Sequence, residues 1–234
     1  MLEFNKNIII VGYSGHAYVV IDTLIDLGTK ILGYTEKKEL SANPFDLNYL
    51  GYENDLKFPF FGKKYNYIIG IGDNKIRSSI SKFLRSKKCN MINVVHPSSS
   101  VSINSSLGSG IFIGKNVSIS PLCKFGNDII INNSATIDHE CIINSGSHIA
   151  PGAVLLGNVK VGKNSFIGAS SVVKEGVSIG DNVVVGAGSA WFGLYVNSGN
   201  GSAKIEVEQR KDGSSAKYEY DESEMDRNFN PYQN

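Results

Sequence analysis

Several protein classes are excluded by what this chain has little of. Its 234 residues hold three cysteines, Cys89, Cys123 and Cys141, which make no disulfide framework. Charge of either sign is nearly balanced, 23 Lys and Arg against 22 Asp and Glu, so the chain carries no electrostatic footprint for nucleic acid. The opening MLEFNKNIIIVGYSG has an apolar run too short for a signal-peptide core, and no stretch approaches the length of a membrane span. The expectation is a cytoplasmic protein. With 41% hydrophobic residues it has enough apolar material for two modest domains.

What the chain does have is a period of six. Fifteen apolar residues recur without a break: Val101, Leu107, Ile113, Ile119, Phe125, Ile131, Ile137, Ile143, Ile149, Leu155, Val161, Ile167, Val173, Ile179 and Val185. Neither a helix nor an ordinary strand has this period. The next residue is often Gly, as at 108, 114, 126, 162, 168, 180 and 186, which reads as tight turning. Four places after each apolar residue stands a small or β-branched one, such as Ala135, Cys141, Ser147 and Ala153. Two inward positions per repeat then fill a narrow core. Three repeats make a triangular coil of eighteen residues, successive coils stack at ~4.8 Å, and residues 101 to 190 supply about five of them. Cys123 and Cys141, eighteen apart, are expected to stack inside as small core residues. Within the array Lys115, Lys124, Lys160, Lys163 and Lys174 balance Asp128, Asp138, Glu140, Glu175 and Asp181, which leaves no charged face for a polyanion.

Residues before the array follow a different pattern. Asn7 to Val11 reads as a buried strand, Gly12-Tyr13-Ser14-Gly15-His16 as a turn, Ala17 to Leu27 as a helix ended by Gly28, and Lys30 to Tyr34 as a second strand. This is a βαβ unit whose turn opens a helix N-terminus suited to phosphate. Tyr67 to Ile71 reads as a third strand, Gly72-Asp73-Asn74 as a second turn, Asn74 to Lys87 as a helix, and Met91 to Val95 as a strand leading to His96-Pro97.

Of the four histidines, His96 reads as a polar linker residue. His139 falls outside the inward pair in Ile137-Asp138-His139-Glu140-Cys141, where a neighbouring acid can fix its tautomer and stabilise its cation, as a general base requires. Gly157, eighteen residues on, is expected one coil above, where its N–H can face an oxyanion near that base. His148 is half a coil from His139 and points to the opposite side. The two share a site only where copies of the chain meet, so an oligomer, most simply a trimer, is expected. A zinc hydrolyase built on the repeat would need three converging imidazoles, and the array has only these two.

Val11-Gly12-Tyr13-Ser14-Gly15-His16 with Val19-Val20, Gly70-Ile71-Gly72-Asp73-Asn74-Lys75-Ile76-Arg77, Ile137-Asp138-His139-Glu140-Cys141 and Gly157-Asn158-Val159-Lys160-Val161-Gly162 together resemble one family. It is the left-handed β-helix acyltransferases, within them the sialic-acid O-acetyltransferases and bacterial UDP-amino-sugar N-acetyltransferases, over about residues 7 to 190. The resemblance implies an α/β Rossmann-like domain over 1–97, a left-handed parallel β-helix over 98–191 and an atypical extension over 192–234. It implies an acetyl-CoA-dependent N-acetyltransferase acting on a nucleotide-linked amino sugar, of UDP-4-amino-4,6-dideoxy type, in surface-glycan synthesis, as a homotrimer without a metal. His139 would match the general base and Glu140 its orienting acid. Gly12, Ser14, Gly15, His16, Glu36, Gly72 and Asp73 would hold the nucleotide sugar, and His148, Gly157, Gly168 and Ala169 would lie along acetyl-CoA.

The chain departs from that family in two places. Thr35-Glu36 stands where the amino-sugar enzymes carry paired acids, and the closing G-x-P-A-K segment is reduced to Gly201-Ser202-Ala203-Lys204. Residues 204 to 220 alternate around Asp212-Gly213 as a hairpin would, and 221–234 reads as a polar tail. O-acetylation of a sialic acid and a non-catalytic nucleotide-sugar-binding scaffold remain the alternative readings.

Overall fold

A computed structural model describes residues 7–55 and 57–191, together with the strand backbones Tyr195–Val196 and Lys204–Ile205. The first part is an α/β layer. Strands β1 (Ile8–Val11), β2 (Ile31–Thr35), β3 (Asn66–Ile69) and β4 (Asn90–Met91) form a parallel sheet in the order β2-β1-β3-β4, with helices α1 (Gly15–Asp26) and α2 (Asn74–Ser86) as crossovers. All four residues of β1 are buried, as a continuous apolar run in a sheet covered on both faces should be. The run Met91 to Val95, expected as one strand, is divided between two sheets. Ile92 N–H bonds to Tyr67 in the α/β sheet, whereas Val94 N–H bonds to Ile111 in the solenoid.

From Val94 onward the chain winds as a left-handed parallel β-helix with three sheet faces. The first face runs through Val94–Val95, Phe112–Ile113, Ile130–Ile131, His148–Ile149, Phe166–Ile167 and Val184–Val185. The second carries Thr136–Ile137 and Val154–Leu155, and the third Ile142–Ile143 and Lys160–Val161. Each rung pairs in parallel with the residue eighteen later, as Ile137 does with Leu155, and the period-six residues pack as one core with Cys123 and Cys141 inside. The cysteine thiols donate to carbonyls at Asp138 and Leu156. Trp191 continues the array opposite Val173. Beyond it the spacing loosens, because Val196 pairs with Ile179 and Ile205 with Val185, seventeen and twenty residues apart. The expected hairpin and tail, and Gly201-Ser202-Ala203, lie outside the described residues.

The turn glycines have a different cause from the one the sequence suggests. Left-handed backbone falls three residues after nearly every period-six residue, at Asn116, Asp128, Ser134, Glu140, Asn158 and Asn164 among others. Asn, Asp and Ser tolerate it through local hydrogen bonding. The glycine directly after the apolar residue answers a spatial demand instead, since a Cβ at Gly162 would lie 2.2 Å from the Gly180 backbone of the next coil.

The two parts are joined by an extensive contact. Phe112, Ile130 and Val94 share one core with Ala17, Val20, Ile21 and Leu24 of α1. Arg77 of α2, 1% exposed, donates to the carbonyls of Asp128, Gly146 and Ser147 in the solenoid and of Ile71 and Gly72 in its own turn, and to Asn74 Oδ1. Asp128 also takes Ser81 and an ion pair with Arg85 at 3.0 Å. Lys115 and His96 reach Asp22 and Asp26 at the other end of the contact, so His96 is a buried bridge and not an open linker residue. Arg77→Met strands these buried acceptors and is expected to lower the unfolding free energy by about 3–5 kcal/mol in urea titrations. A loss under about 1 kcal/mol would show the clamp to be dispensable.

Candidate functional site

Two concave regions gather some of the residues singled out above, and they lie on different parts of the molecule. The first is a cleft of about 380 Å³ at the corner between the second and third faces, lined by Asp138, His139, Leu156, Gly157, Asn158, Glu175 and Gly176. The eighteen-residue coil puts these together: His139, Gly157 and Glu175 occupy the same corner in successive turns. The His139 side chain is 56% exposed, and its Nδ1 lies 3.0 Å from Glu140 Oε2. Its backbone N–H is fixed by Asp138 Oδ1 at 2.7 Å. Glu140 holds a left-handed φ of +59°, and Leu122 one coil below holds +66°. Most other corners use Asn, Asp, Ser or Gly there, so a Glu at this place carries a backbone cost of about 1–3 kcal/mol.

Gly157 touches the imidazole. A Cβ on it would come 2.6 Å from both Cε1 and Nε2 of His139, so a side chain is excluded by the base candidate itself. Among the described residues the Gly157 N–H makes no hydrogen bond, and it is left for an acceptor from outside. Glu175 was not singled out from the sequence, although its spacing of thirty-six from His139 is the signal that places it here.

The second region is a cavity of about 770 Å³ in the α/β layer. It gathers Gly12, Ser14 and Glu36 with residues that sequence reasoning passed over, notably Tyr52, Glu53, Lys75 and Phe83. Ser14 is the N-cap of α1 but spends no side-chain bond on capping, and the first turn of α1 holds no acid, so the positive end of the helix is open. Glu36 is aimed by two backbone donors, Tyr13 N–H to Oε1 at 3.1 Å and Lys37 N–H to Oε2 at 3.2 Å. Asp73 does not line this cavity. It caps α2, accepting from Ile76 N–H at 2.8 Å. Gly15 and Gly72 also lie outside its lining.

His16 and His148 meet each other at the join between the two parts. Their rings are 6.1 Å apart, His148 is 8% exposed, and Phe112 and Phe166 pack edge-on against them. Asn132 contacts His148 Nε2 at 3.2 Å. Burial, first of all, pushes the His16 imidazole down to about 3, with His148 and Arg77 adding to the shift. Burial and then Arg77 push His148 down to about 4. Within one chain neither ring reaches His139. Gly168 and Ala169 lie at the corner between the first and second faces, away from the one that holds His139 and Gly157. Among the described residues no group of three or more His, Cys, Asp or Glu is arranged to hold a metal ion, and no helix is long and apolar enough to cross a membrane.

Residues 7–84 match the PglD N-terminal domain, and residues 158–190 the hexapeptide repeat of succinyl-transferase. Among solved structures, a histidine-to-asparagine mutant of perosamine N-acetyltransferase from Caulobacter crescentus, in complex with CoA and GDP-perosamine, is 28% identical. The alignment covers 92% of this chain and 98% of that one, with a TM-score of 0.79. The acetyltransferase domain of PglB from Neisseria gonorrhoeae, in complex with acetyl coenzyme A, is 23% identical over 91% of this chain and 98% of that one, with a TM-score of 0.76. WeeI from Acinetobacter baumannii AYE shares the fold at 19% identity, over 87% of this chain and 95% of that one, with a TM-score of 0.66. No curated protein matches the sequence.

The geometry sets two expectations. Gly157→Ala is expected to drive the His139 ring away from Glu140 while stability changes by less than about 1 kcal/mol, since the imidazole that must give way is more than half exposed; a crystal structure of the variant with the 3.0 Å contact intact would contradict this. The second concerns pH. Because the folded-state values of about 3 and about 4 lie below the ordinary value of 6.5, the unfolded chain takes up protons that the folded one refuses. Stability is therefore full above pH 6.5 and falls toward pH 4, by at most about 2.7 kcal/mol per pH unit for two protons. Denaturation midpoints that stay flat between pH 7 and 5 would show that neither ring is held neutral in the fold, and half the slope that only one is.

Proposed function

We propose, for a chain that belongs to the left-handed β-helix, hexapeptide-repeat acetyltransferases carrying a PglD-type N-terminal domain, that it transfers an acetyl group from acetyl-CoA to the amine of a nucleotide-linked amino sugar. The observation that carries this reading is the His139–Glu140 pair beneath an unbonded Gly157 N–H. As the amine attacks the thioester, a C–N bond forms, and His139 takes the proton from nitrogen while Glu140 stabilises the resulting imidazolium. The Gly157 N–H faces the tetrahedral oxyanion, the C–S bond breaks, and the sulfur of CoA leaves with the proton that His139 returns. The N-terminal cavity holds the diphosphate at Gly12, Ser14 and the α1 N-terminus, with the ribose hydroxyls at Glu36.

Amine acceptors are favoured over sialic acid by the carboxylates Asp138, Glu140 and Glu175 around the cleft. They attract an ammonium group and repel a sugar carboxylate. The UDP-linked 4-amino-4,6-dideoxy sugar implied by the resemblance and the GDP-perosamine bound to the Caulobacter enzyme share the amine and the diphosphate and differ in the base. We assign the reaction to the cytoplasm and the active assembly to a homotrimer. There the corner with His139 meets the side of the next copy that bears His148, Gly168 and Ala169, and acetyl-CoA lies between the two.

His139→Asn is expected to lower acetyl-CoA-dependent thiol release about 10²–10⁴-fold while leaving the fold and assembly unchanged, because the side chain is exposed. Turnover at the wild-type rate would remove His139 as the base, and release with free sialic acid alone would replace the amine by a hydroxyl acceptor.

A further inference from the structure

The loop between β2 and β3 places one acid where an acid is costly. Glu53 lines the N-terminal cavity, is 5% exposed, and its Oε2 has no hydrogen-bond partner. Beside it stands the Thr35 hydroxyl, fully buried and also part of the cavity wall, which lies close enough to the Glu53 carboxyl to oppose its pKa shift but makes no well-formed hydrogen bond. A buried acceptor without a donor costs about 1–3 kcal/mol, more when charged, and such groups persist in folded proteins where something outside the fold completes them. Burial raises the Glu53 pKa; the Thr35 hydroxyl and the residue's own backbone N–H oppose the shift, Glu36 adds to it and Lys37 opposes it.

The lining combines Ser14, at the α1 N-terminus, and the basic Lys75 with the apolar Ile76, Ile80 and Phe83 and with Glu53 and Thr35. A cavity that combines these apolar side chains with a carboxyl suits a flat heteroaromatic ring that stacks by its face and bonds by its edge. The bases differ sharply at that edge. Guanine presents N1–H and the 2-amino group side by side, two donors spaced for one carboxylate. Uracil presents a single N–H between two carbonyl oxygens, which an ionised carboxylate repels.

We infer that Glu53 reads the nucleobase of the donor and selects guanine, so that the substrate is GDP-linked; this rests on the cavity being the nucleotide site. Glu53 is thereby a specificity-determining residue for the proposed reaction, remote from the transferred acetyl group. Its neighbour Thr35 adds a second polar group to the lining.

The test is calorimetric binding of GDP, inosine diphosphate and UDP to the intact protein and to Glu53→Gln. GDP is expected to bind the wild type at least about ten-fold more tightly than UDP, with inosine diphosphate, which lacks the 2-amino group, in between. Glu53→Gln is expected to remove most of the GDP advantage and to leave UDP affinity within about two-fold. The wild-type comparison stands even if the variant folds poorly. UDP binding as tightly as GDP overturns the inference and leaves the nucleotide site in place, as does an equal loss for all three ligands in the variant. Failure of every nucleoside diphosphate to bind overturns both the inference and the nucleotide-sugar reading.

Discussion

The rest of the structure depends on the axial hydrogen bond between successive coils. Each rung donates from its backbone to the carbonyl about seventeen residues ahead, as Asp138 N–H does to Leu155, and corner residues donate back, as Asn158 N–H does to the His139 carbonyl. Because these bonds run in register along three faces, any residue is locked directly beneath the one eighteen later. An inward methyl group and an outward imidazole are positioned by the same ladder. The cleft corner therefore needs no dedicated scaffold: His139, Gly157 and Glu175 converge because the coil cannot place them elsewhere. The local expense is the left-handed backbone at each corner, and Glu140 bears it where Asn or Gly would be easier.

The same ladder serves as the docking surface for the N-terminal domain. Arg77 bonds to solenoid carbonyls that the coil leaves pointing outward at Asp128, Gly146 and Ser147. Its charge is buried at the join, and the neighbouring rings of His16 and His148 answer by remaining neutral. Burial, a guanidinium and two imidazoles thus form one electrostatic unit. It fixes how the N-terminal cavity stands relative to the coil, and a change at Arg77 reaches both.

The coil was legible in the sequence because a period of six apolar residues has no other structural meaning, and His139 with Gly157 followed from counting eighteen. The βαβ unit was legible for the opposite reason, through local grammar of strand, turn and helix. What stayed hidden depended on tertiary contact. Gly72-Asp73-Asn74 resembles a ligand turn, yet Asp73 spends its carboxylate on the α2 cap and Asn74 bonds to the carbonyls of Asn164 and Ser165. His96 looks like a linker residue until Asp26 arrives from α1. Glu53 sits in a polar loop with no periodicity, and only the folded cavity gives it a buried environment.

One chain holds the parts of its candidate site on separate surfaces, and the reason is angular. Residues eighteen apart share a corner, whereas nine residues carry the chain halfway around the prism, so His139 and His148 face apart whatever the side chains do. No motion of a loop can join them, since both are held by the ladder. A second copy placed along the first supplies the missing side without altering either coil. The proposed assembly therefore follows from the repeat length itself: a coil of eighteen residues is too narrow to enclose two substrates, and a groove between two coils is not.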